Sequence, residues 1–279
     1  MTVEVFFLAE RAGTIVGLRL GDGTRVALKI HRRRTEEYLH AMQQVQGQLW
    51  SHGFPCPRPL GVRGTATLEE WIDDGEYLDA HDSEVRRVLA DQLARLVDIA
   101  SGLRPSAALT PFFPPAGGPL WPKPHSDRID FESTAEDAAW IDDIAREARR
   151  RRDAHALPLV VGHHDWTIQH VRFAGLEPTV VYDWDSLSAG PEPVFAGDAA
   201  EHFTYTEHLD VERWPTVAEA AAFLDDYERA RGRAFTDAER ETAKAAAVYA
   251  RAYSTRFAHA LGHDPGPMQL DAYARELLG

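Results

Sequence analysis

The chain reads Val161-Gly162-His163-His164-Asp165-Trp166-Thr167-Ile168-Gln169-His170 and, further on, Thr179-Val180-Val181-Tyr182-Asp183-Trp184-Asp185. In each stretch a carboxylate, that of Asp165 or Asp183, follows a short apolar run, and we predict neighbouring strands over residues 157–161 and 179–182. The turn after each strand can expose its carboxylate in a cleft. There the first carboxylate can orient or deprotonate a hydroxyl, and the second can hold a divalent cation. Phosphoryl transfer needs this division of work, because its catalysis is mainly positioning and neutralisation of phosphate charge.

The residues on either side separate into a β-rich part and a helical part. Short β-prone runs broken by Gly and Asp dominate the first part, and apolar residues at helical spacing dominate the second. We therefore predict an α+β chain with a small β-rich N-terminal lobe, residues 1–74, and a larger, mainly helical C-terminal lobe, residues 75–279. The expected elements are strands over 3–9, 14–20, 25–31 and 65–72, helices over 36–51, 83–102 and 134–152, and a long helix that a capping box opens at Thr236.

Composition narrows the classes of function. The 279 residues include 44% hydrophobic residues, enough to form a core, and carry a net charge of −14, which argues against nucleic-acid or anionic-membrane partners. The single cysteine, Cys56, cannot form an internal disulfide and is expected to be a partly buried, inert thiol. The chain shows no signal peptide or apolar stretch of membrane-spanning length, so the sequence predicts a cytoplasmic enzyme and leaves the oligomeric state open.

Ordered motifs carry a family resemblance. The run His163-His164-Asp165, four residues and His170 matches the spacing of a catalytic loop that reads His-Gly-Asp, four residues and Asn, and Val181-Tyr182-Asp183-Trp184 matches a metal-binding strand end. Val26-Ala27-Leu28-Lys29 is similar to the Val-Ala-Ile-Lys of kinase strands, and residues 68–71 sit where an interlobe hinge would lie. With these motifs in this order, the chain resembles the aminoglycoside phosphotransferase and choline kinase-like family.

The resemblance implies a two-lobed protein kinase-like fold and a small-molecule kinase. Such an enzyme would transfer the γ-phosphate of ATP, with GTP as the alternative donor, to a hydroxyl of an aminoglycoside-like or other small metabolite, using Mg²⁺. The acidic net charge suits a cationic acceptor.

The resemblance also assigns candidate roles by position. Asp165 would be the catalytic base and His163 would order the catalytic loop, while Asp183 and His170 would hold the metal ion. The nucleotide would contact Lys29 and Ala27 on the third strand, the glycine-poor loop with Gly13 and Gly17, and the hinge backbone at Glu69 and Trp71.

Three departures from the family pattern keep other interpretations open. His170 stands where the family has Asn, His164 where it has Gly, and the first helix carries Gln43 and Gln44 where a Glu should pair with the lysine. One alternative is a nucleotide-binding pseudokinase with weak or no catalysis. The other is a metal-dependent phosphohydrolase of the HD type, whose His-Asp pairs lie on helices.

Two further features have two interpretations each, and a third has one. The Pro- and Gly-rich residues 104–131, with Phe112, Trp121 and His125, form either a lid or rim over the substrate or a surface loop packed on its own aromatic residues. Trp166 and Trp184 either wall the acceptor pocket or belong to the core. The basic run 149–152 is expected to be the solvated end of a helix.

Overall fold

The N-terminal part of the chain is built on an antiparallel sheet. In this computed structural model, which describes residues 3–10, 13–115, 117–124, 129–264 and 266–279, the sheet has the strand order β1-β2-β3-β5-β4 over the described residues. A turn with Gly23 at φ +87° connects β2 to β3, as the Gly-Asp-Gly sequence predicts. The elements are β1 (Val3–Glu10), β2 (Thr14–Leu20), β3 (Arg25–Ile30), α1 (Glu36–Ser51), β4 (Pro59–Arg63) and β5 (Ala66–Glu70).

The rest of the chain is mainly helical and contains two small hairpin-like sheets. Strand β6 pairs with β9, and β7 pairs with β8, all antiparallel. No helix among the described residues is both long and apolar enough to cross a bilayer. The elements are α2 (Ser83–Ser101), α3 (Ala139–Arg152), β6 (Leu159–His163), β7 (Val171–Ala174), β8 (Glu177–Val181), β9 (Leu187–Pro191), α4 (Glu192–His202), α5 (Val217–Ala230), α6 (Asp237–Ala260) and α7 (Leu270–Leu278).

The predicted fold class is confirmed, with a small antiparallel sheet lobe followed by a helical lobe. The prediction that Asp165 and Asp183 follow neighbouring strands is wrong, because β6 and β8 belong to different sheets. Sequence patterns missed β4, β7 and β9, which are four or five residues long and contain proline, glycine or charged residues. The boundary at residue 74 falls in the connection between β5 and α2 and stays a prediction.

Helix α3 begins later than predicted. Residues 131–138 form turns instead of helix, because the Asp130 carboxylate accepts the N–H groups of Glu132 and Ser133 and the Asp130 carbonyl accepts the hydroxyl of Thr134. Such local bonds offer the backbone an alternative to helical pairing.

Helix α4 lies unusually close to α6. A Cβ atom added to Gly197 would overlap the backbone carbonyl of Ala243 on α6, so glycine is what permits this approach. The next turn of α4 carries Asp198 and His202, which this packing places behind the loop after β6. Cys56 is buried more completely than the predicted partial burial, and burial raises the pKa of its thiol to about 12.

Helix α6 begins with the capping box that the sequence predicts. The Thr236 hydroxyl accepts the Glu239 N–H at 3.3 Å, and the Glu239 carboxylate accepts the Thr236 N–H at 2.8 Å. A side-chain hydrogen bond from Arg233 is the main reason why the pKa of Glu239 falls from 4.5 to about 2.

We expect Glu239→Gln to lower the free energy of unfolding at neutral pH by about 1 kcal/mol, because it removes a negative charge from the helix N-terminus and breaks the ion pair with Arg233. Since the folded pKa is the lower one, the carboxylate stabilises the native state above pH 4.5, and this stabilisation is lost as the pH falls towards 2. Urea denaturation of both proteins at neutral pH and near pH 3 measures the effect. A difference between the proteins that does not shrink in acid would contradict this assignment.

Candidate active site

The structure brings the two predicted carboxylates together although their strands are not neighbours. One side-chain ligand atom each of Asp165, His170 and Asp183 lies within 4.8 Å of the other two. Asp165 lies in the loop after β6, His170 in the short 3-10 turn before β7, and Asp183 directly beyond β8. Three separate segments of the helical lobe therefore converge on one point.

The predicted loop-ordering residue, His163, lies between these segments. Its imidazole is fully buried; Nε2 donates to the Asp183 carbonyl at 3.0 Å, and Nδ1 accepts the Asp165 N–H at 3.3 Å. Burial lowers the pKa of His163 to about 4, so the ring is neutral and carries its proton on Nε2. One side chain thus fixes the backbone of both carboxylate-bearing loops.

Trp166 and Trp184 belong to the core and not to an acceptor pocket wall. Both side chains are buried, and their indole N–H groups donate to the carbonyls of Leu89 and Val181 at 3.0 Å. The two rings contact the His163 imidazole edge-on, with centroids 5.5 and 6.0 Å away. They therefore hold the imidazole in place from two sides.

Two imidazoles face the Asp165 carboxylate. His170 Nε2 is 3.2 Å from Oδ2, and His202 Nε2, on α4, is 3.8 Å from Oδ1. Burial alone would raise the pKa of Asp165, but the charges of His170 and His202 hold it well below its usual range. Burial opposes the charged form of both imidazoles, yet nearby carboxylates raise their pKa values to about 9. The main one is Asp183 for His170 and Asp198 for His202.

The Asp183 carboxylate has the opposite character. Burial, and next the neighbouring charge of Asp185, raise its pKa to about 6, while the Ser186 hydroxyl donates to it. Asp183 itself adopts a left-handed backbone conformation at φ +63°. Asp185 turns towards the sheet lobe, where its Oδ2 is 3.5 Å from His31 Nδ1.

The Asp183 carboxylate and the His170 imidazole fit a divalent cation, with the Asp165 carboxylate within 4.8 Å of both. Burial and the charge of Asp185 raise the pKa of Asp183, and a cation would offset that charge and displace the proton that His170 carries at a pKa of about 9. Mg²⁺ prefers oxygen ligands. Compared with an amide oxygen, an imidazole nitrogen shifts the preference of a site towards first-row transition metals such as Mn²⁺.

The sheet lobe presents Lys29 to the same cleft. Lys29 Nζ forms an ion pair with Glu69 Oε1 at 2.6 Å, and the charges of Asp185 and Asp183 also act on the ammonium group. Ala27, two residues earlier on β3, is buried and lies opposite Glu69 on β5. Glu69 therefore enters the cleft with its side chain, whereas the resemblance assigned it a backbone contact with adenine.

The other predicted nucleotide residues lie within or beside the sheet. Gly17 is part of β2, where a Cβ would meet the side chains of Phe6 and Phe7, and a Cβ on Gly13 would meet the Ile30 carbonyl. Packing inside the sheet thus accounts for both glycines, and their contact with phosphate stays a prediction.

Trp71 uses part of its backbone within the lobe. Its N–H donates to the Arg25 carbonyl at 3.2 Å, and its indole packs against Phe6 and Phe7. An adenine contact at Trp71 would accordingly involve its carbonyl group and not its amide.

Sequence reasoning missed several residues of the cleft. His202 could have been recognised from its spacing: it follows Asp198 by one helical turn and so lies on the same face of α4. Tyr38 had no such signal; its hydroxyl, on α1, donates to the carbonyls of Asp185 and Leu187 at 2.7 Å.

The loop of residues 104–131 is packed on α6 by aromatic side chains. Phe113 and Trp121 contact Tyr249, and Phe112 stacks on His164 beside Asp165, with ring centroids 4.3 Å apart. The basic end of α3 is not merely solvated, because Arg149 and Arg152 donate to the backbone carbonyls of Pro114, Gly118 and Pro119 in this loop. The loop is thus fastened at its middle and touches the cleft through Phe112, while the predicted contributor His125 lies outside the described residues.

A small antiparallel sheet over a helical lobe, with loop carboxylates facing a strand lysine, defines a small-molecule kinase of the protein kinase-like fold. A model of the phosphotransferase enzyme family matches residues 16–238, and the chain belongs to this family. The HD-type interpretation is not supported, since His163 ends a strand and not a helix.

Solved structures of small-molecule kinases share the fold. An amicoumacin kinase in complex with AMP-PNP, Ca²⁺ and Ami is 12% identical, with a TM-score of 0.69 over 98% of this chain and 87% of that one. A microcompartment-associated aminopropanol kinase is 12% identical (TM-score 0.65, 99% and 90% covered), as is an ethanolamine kinase of Plasmodium vivax (TM-score 0.61, 99% and 81% covered). A comparison with curated protein sequences found no match.

We expect His170→Asn to weaken Mn²⁺ binding more than Mg²⁺ binding, because it replaces an imidazole nitrogen by an amide oxygen. Even a group that only hydrogen-bonds to a metal ligand is worth about 10- to 100-fold in metal affinity, so the exchange of a ligand should change Mn²⁺ affinity by about that order. Calorimetric titration of each metal into the protein with ATP present measures this. The control is His202→Asn, which removes the other imidazole near Asp165; an equal effect of both variants would contradict a ligand role for His170.

Proposed function

We propose that this phosphotransferase transfers the γ-phosphate of ATP to a hydroxyl group of a small, cationic acceptor. The observation that carries the proposal is the convergence of Asp165, His170 and Asp183 within 4.8 Å, facing the paired lysine of the sheet lobe. ATP is the proposed donor because a neighbour of the same fold is described in complex with AMP-PNP, an analogue of ATP.

In this mechanism Asp165 orients the acceptor hydroxyl. Its strongly lowered pKa makes it a weak base, so we assign it mainly to holding the hydroxyl in line and to taking the proton late, as the oxygen–phosphorus bond forms. His163 keeps the Asp165 and Asp183 loops in register, and Lys29 binds the nucleotide phosphates. A divalent cation, with Mg²⁺ as the physiological candidate, would be held by Asp183 and His170 and would supply neutralisation of phosphate charge.

Two observations support a cationic acceptor. The chain has a net charge of −14. Two neighbours are described as kinases of ethanolamine and aminopropanol, compounds with both an amine and a hydroxyl group. Phe112 and the rest of the loop 104–131 would form the rim of the acceptor site.

ATP binding tests the nucleotide part of the proposal. We expect calorimetric titration to show ATP binding that requires Mg²⁺ or Mn²⁺ and that Asp183→Ala weakens at least tenfold, because this variant removes a ligand atom from the cation. Asp185→Ala provides a comparison, since it removes a nearby carboxylate that is not in the cation cluster. Absence of ATP binding by the unaltered protein would refute the proposal.

We expect Asp165→Asn to lower kcat by about 10²- to 10⁴-fold, the usual contribution of a positioned acid or base, and to leave ATP affinity within about twofold. ADP release in the presence of ethanolamine, 1-amino-2-propanol or an aminoglycoside measures turnover. A loss of ATP affinity as large as the loss of kcat would contradict the separation of roles between Asp165 and Asp183.

A pseudokinase is the second candidate, and one contact favours it. His170 Nε2 lies 3.2 Å from Asp165 Oδ2, where it can neutralise the carboxylate and occupy the position of an acceptor hydroxyl. This candidate predicts ATP binding without ADP release under any acceptor, and turnover that appears in His170→Asn. Turnover by the unaltered protein excludes it.

A further inference from the structure

We infer that Glu69 is the positioning residue that holds Lys29 for the nucleotide phosphates, and that Gln46 of helix α1 holds Glu69. This inference rests on the proposed nucleotide-binding function. The pair is short and largely withdrawn from water: Nζ and Oε1 are 2.6 Å apart, and the two side chains are 15% and 4% exposed.

The register of the sheet makes this pairing possible. On antiparallel β3 and β5, Ala27 lies opposite Glu69 and Lys29 lies opposite Thr67. Side chains that lie opposite share a face, and every second residue of a strand returns to it, so Lys29 and Glu69 are diagonal neighbours on one face. Diagonal neighbours are about 7–8 Å apart at their Cα atoms, a gap that a lysine and a glutamate together bridge.

Helix α1 contributes an amide, and not a carboxylate, to this pair. Gln46 is fully buried, and its Nε2 donates to Glu69 Oε2 at 3.1 Å and to the Pro57 carbonyl at 2.9 Å. Each oxygen of the Glu69 carboxylate thus has its own partner, ammonium on one side and amide on the other. This arrangement leaves Glu69 little freedom to rotate.

The acidic residues of α1 cannot serve Lys29. The helix contains two, Glu36 and Glu37, in its first turn; both are exposed, and Glu36 accepts the N–H of Gly64 instead. Gln43, at a position where the resemblance expects the lysine's partner, donates to the Leu68 carbonyl at 3.0 Å. The counter-charge of Lys29 has therefore moved from the helix to the adjacent strand.

The position of the counter-charge has a functional consequence. Burial alone would lower the pKa of Lys29, but the charge and hydrogen bond of Glu69 outweigh it and raise the pKa, so the ammonium stays charged inside the cleft. One bond to Glu69 leaves two of its three N–H donors for phosphate oxygens. Without Glu69, Lys29 would be drawn towards Asp183 and Asp185, whose charges already act on it.

The test compares ATP with adenosine, which lacks the phosphates. Glu69→Gln keeps the shape of the side chain and removes its charge, and Lys29→Met removes the ammonium. We expect each variant to weaken ATP binding at least tenfold in the presence of Mg²⁺ or Mn²⁺ and to change adenosine binding, measured by competition, by less than twofold. Glu37→Gln, the same change at an exposed position of α1, is the matched control and should behave like the unaltered protein.

A double-mutant cycle shows whether Glu69 acts through Lys29. If it does, Glu69→Gln adds no further loss of ATP affinity once Lys29 is Met, whereas independent or purely structural effects would add. Additive losses, or equal losses for ATP and adenosine, overturn the inference.

A conservative variant keeps the buried charge and guards against misfolding of the single variant. Glu69→Asp retains a carboxylate opposite Lys29, and we expect it to keep part of the ATP affinity that is lost in Glu69→Gln. A folded Glu69→Asp protein that binds ATP no better than Glu69→Gln contradicts the charge role. Failure of the unaltered protein to bind ATP would refute the proposed function itself, whereas unaltered binding with a silent Glu69→Gln refutes this inference alone.

Discussion

The neutral imidazole of His163 connects the two loops on which the cleft depends. It donates to the backbone of Asp183 and accepts from the backbone of Asp165, and a ring can do both only while it carries a single proton. Burial between two indole rings lowers its pKa to about 4 and so maintains that state at neutral pH. The β6–β9 and β7–β8 ladders join the two loops at their ends, where His163 lies opposite Leu187 and Val171 lies opposite Val181, and the imidazole fixes the backbone between these ends at the two carboxylates.

Charge in the cleft is balanced by residues from distant parts of the chain. Asp165 faces the imidazoles of His170 and His202, and Asp185 faces His31 from the sheet lobe. Burial, and next the charge of Asp185, raise the pKa of Asp183 to about 6, whereas the imidazoles that face Asp165 and Asp185 hold the pKa values of those two carboxylates below their usual range. A bound cation at Asp183 would complete the balance, and its binding would release any proton held there.

Local patterns predicted the parts of the fold that depend on neighbours in sequence. The turn at Gly23, the capping box at Thr236, the course of α1 and the loops after β6 and β8 were all predictable, because each is set by a few adjacent residues. Local patterns did not predict the contacts of Glu69, Gln46 and Tyr38, because their partners are 23 or more positions away in the sequence. The one nearer contact is that of Gln46 with Pro57. Side-chain direction at Glu69 follows from the pairing of β3 with β5, and a single sequence does not specify that register.

Helix α1 contacts both halves of the cleft. Gln43 and Gln46 bind β5 and its carboxylate, and Tyr38 binds the carbonyls around the Asp185 turn. A shift of α1 would break the hydrogen bonds of Gln43, Gln46 and Tyr38. It would leave the ion pair intact, because Lys29 and Glu69 lie on adjacent strands of one sheet. The position of α1 would then alter the orientation of Glu69 and the placement of the Asp183–Asp185 turn, and through them the distance between the lysine and the cation cluster.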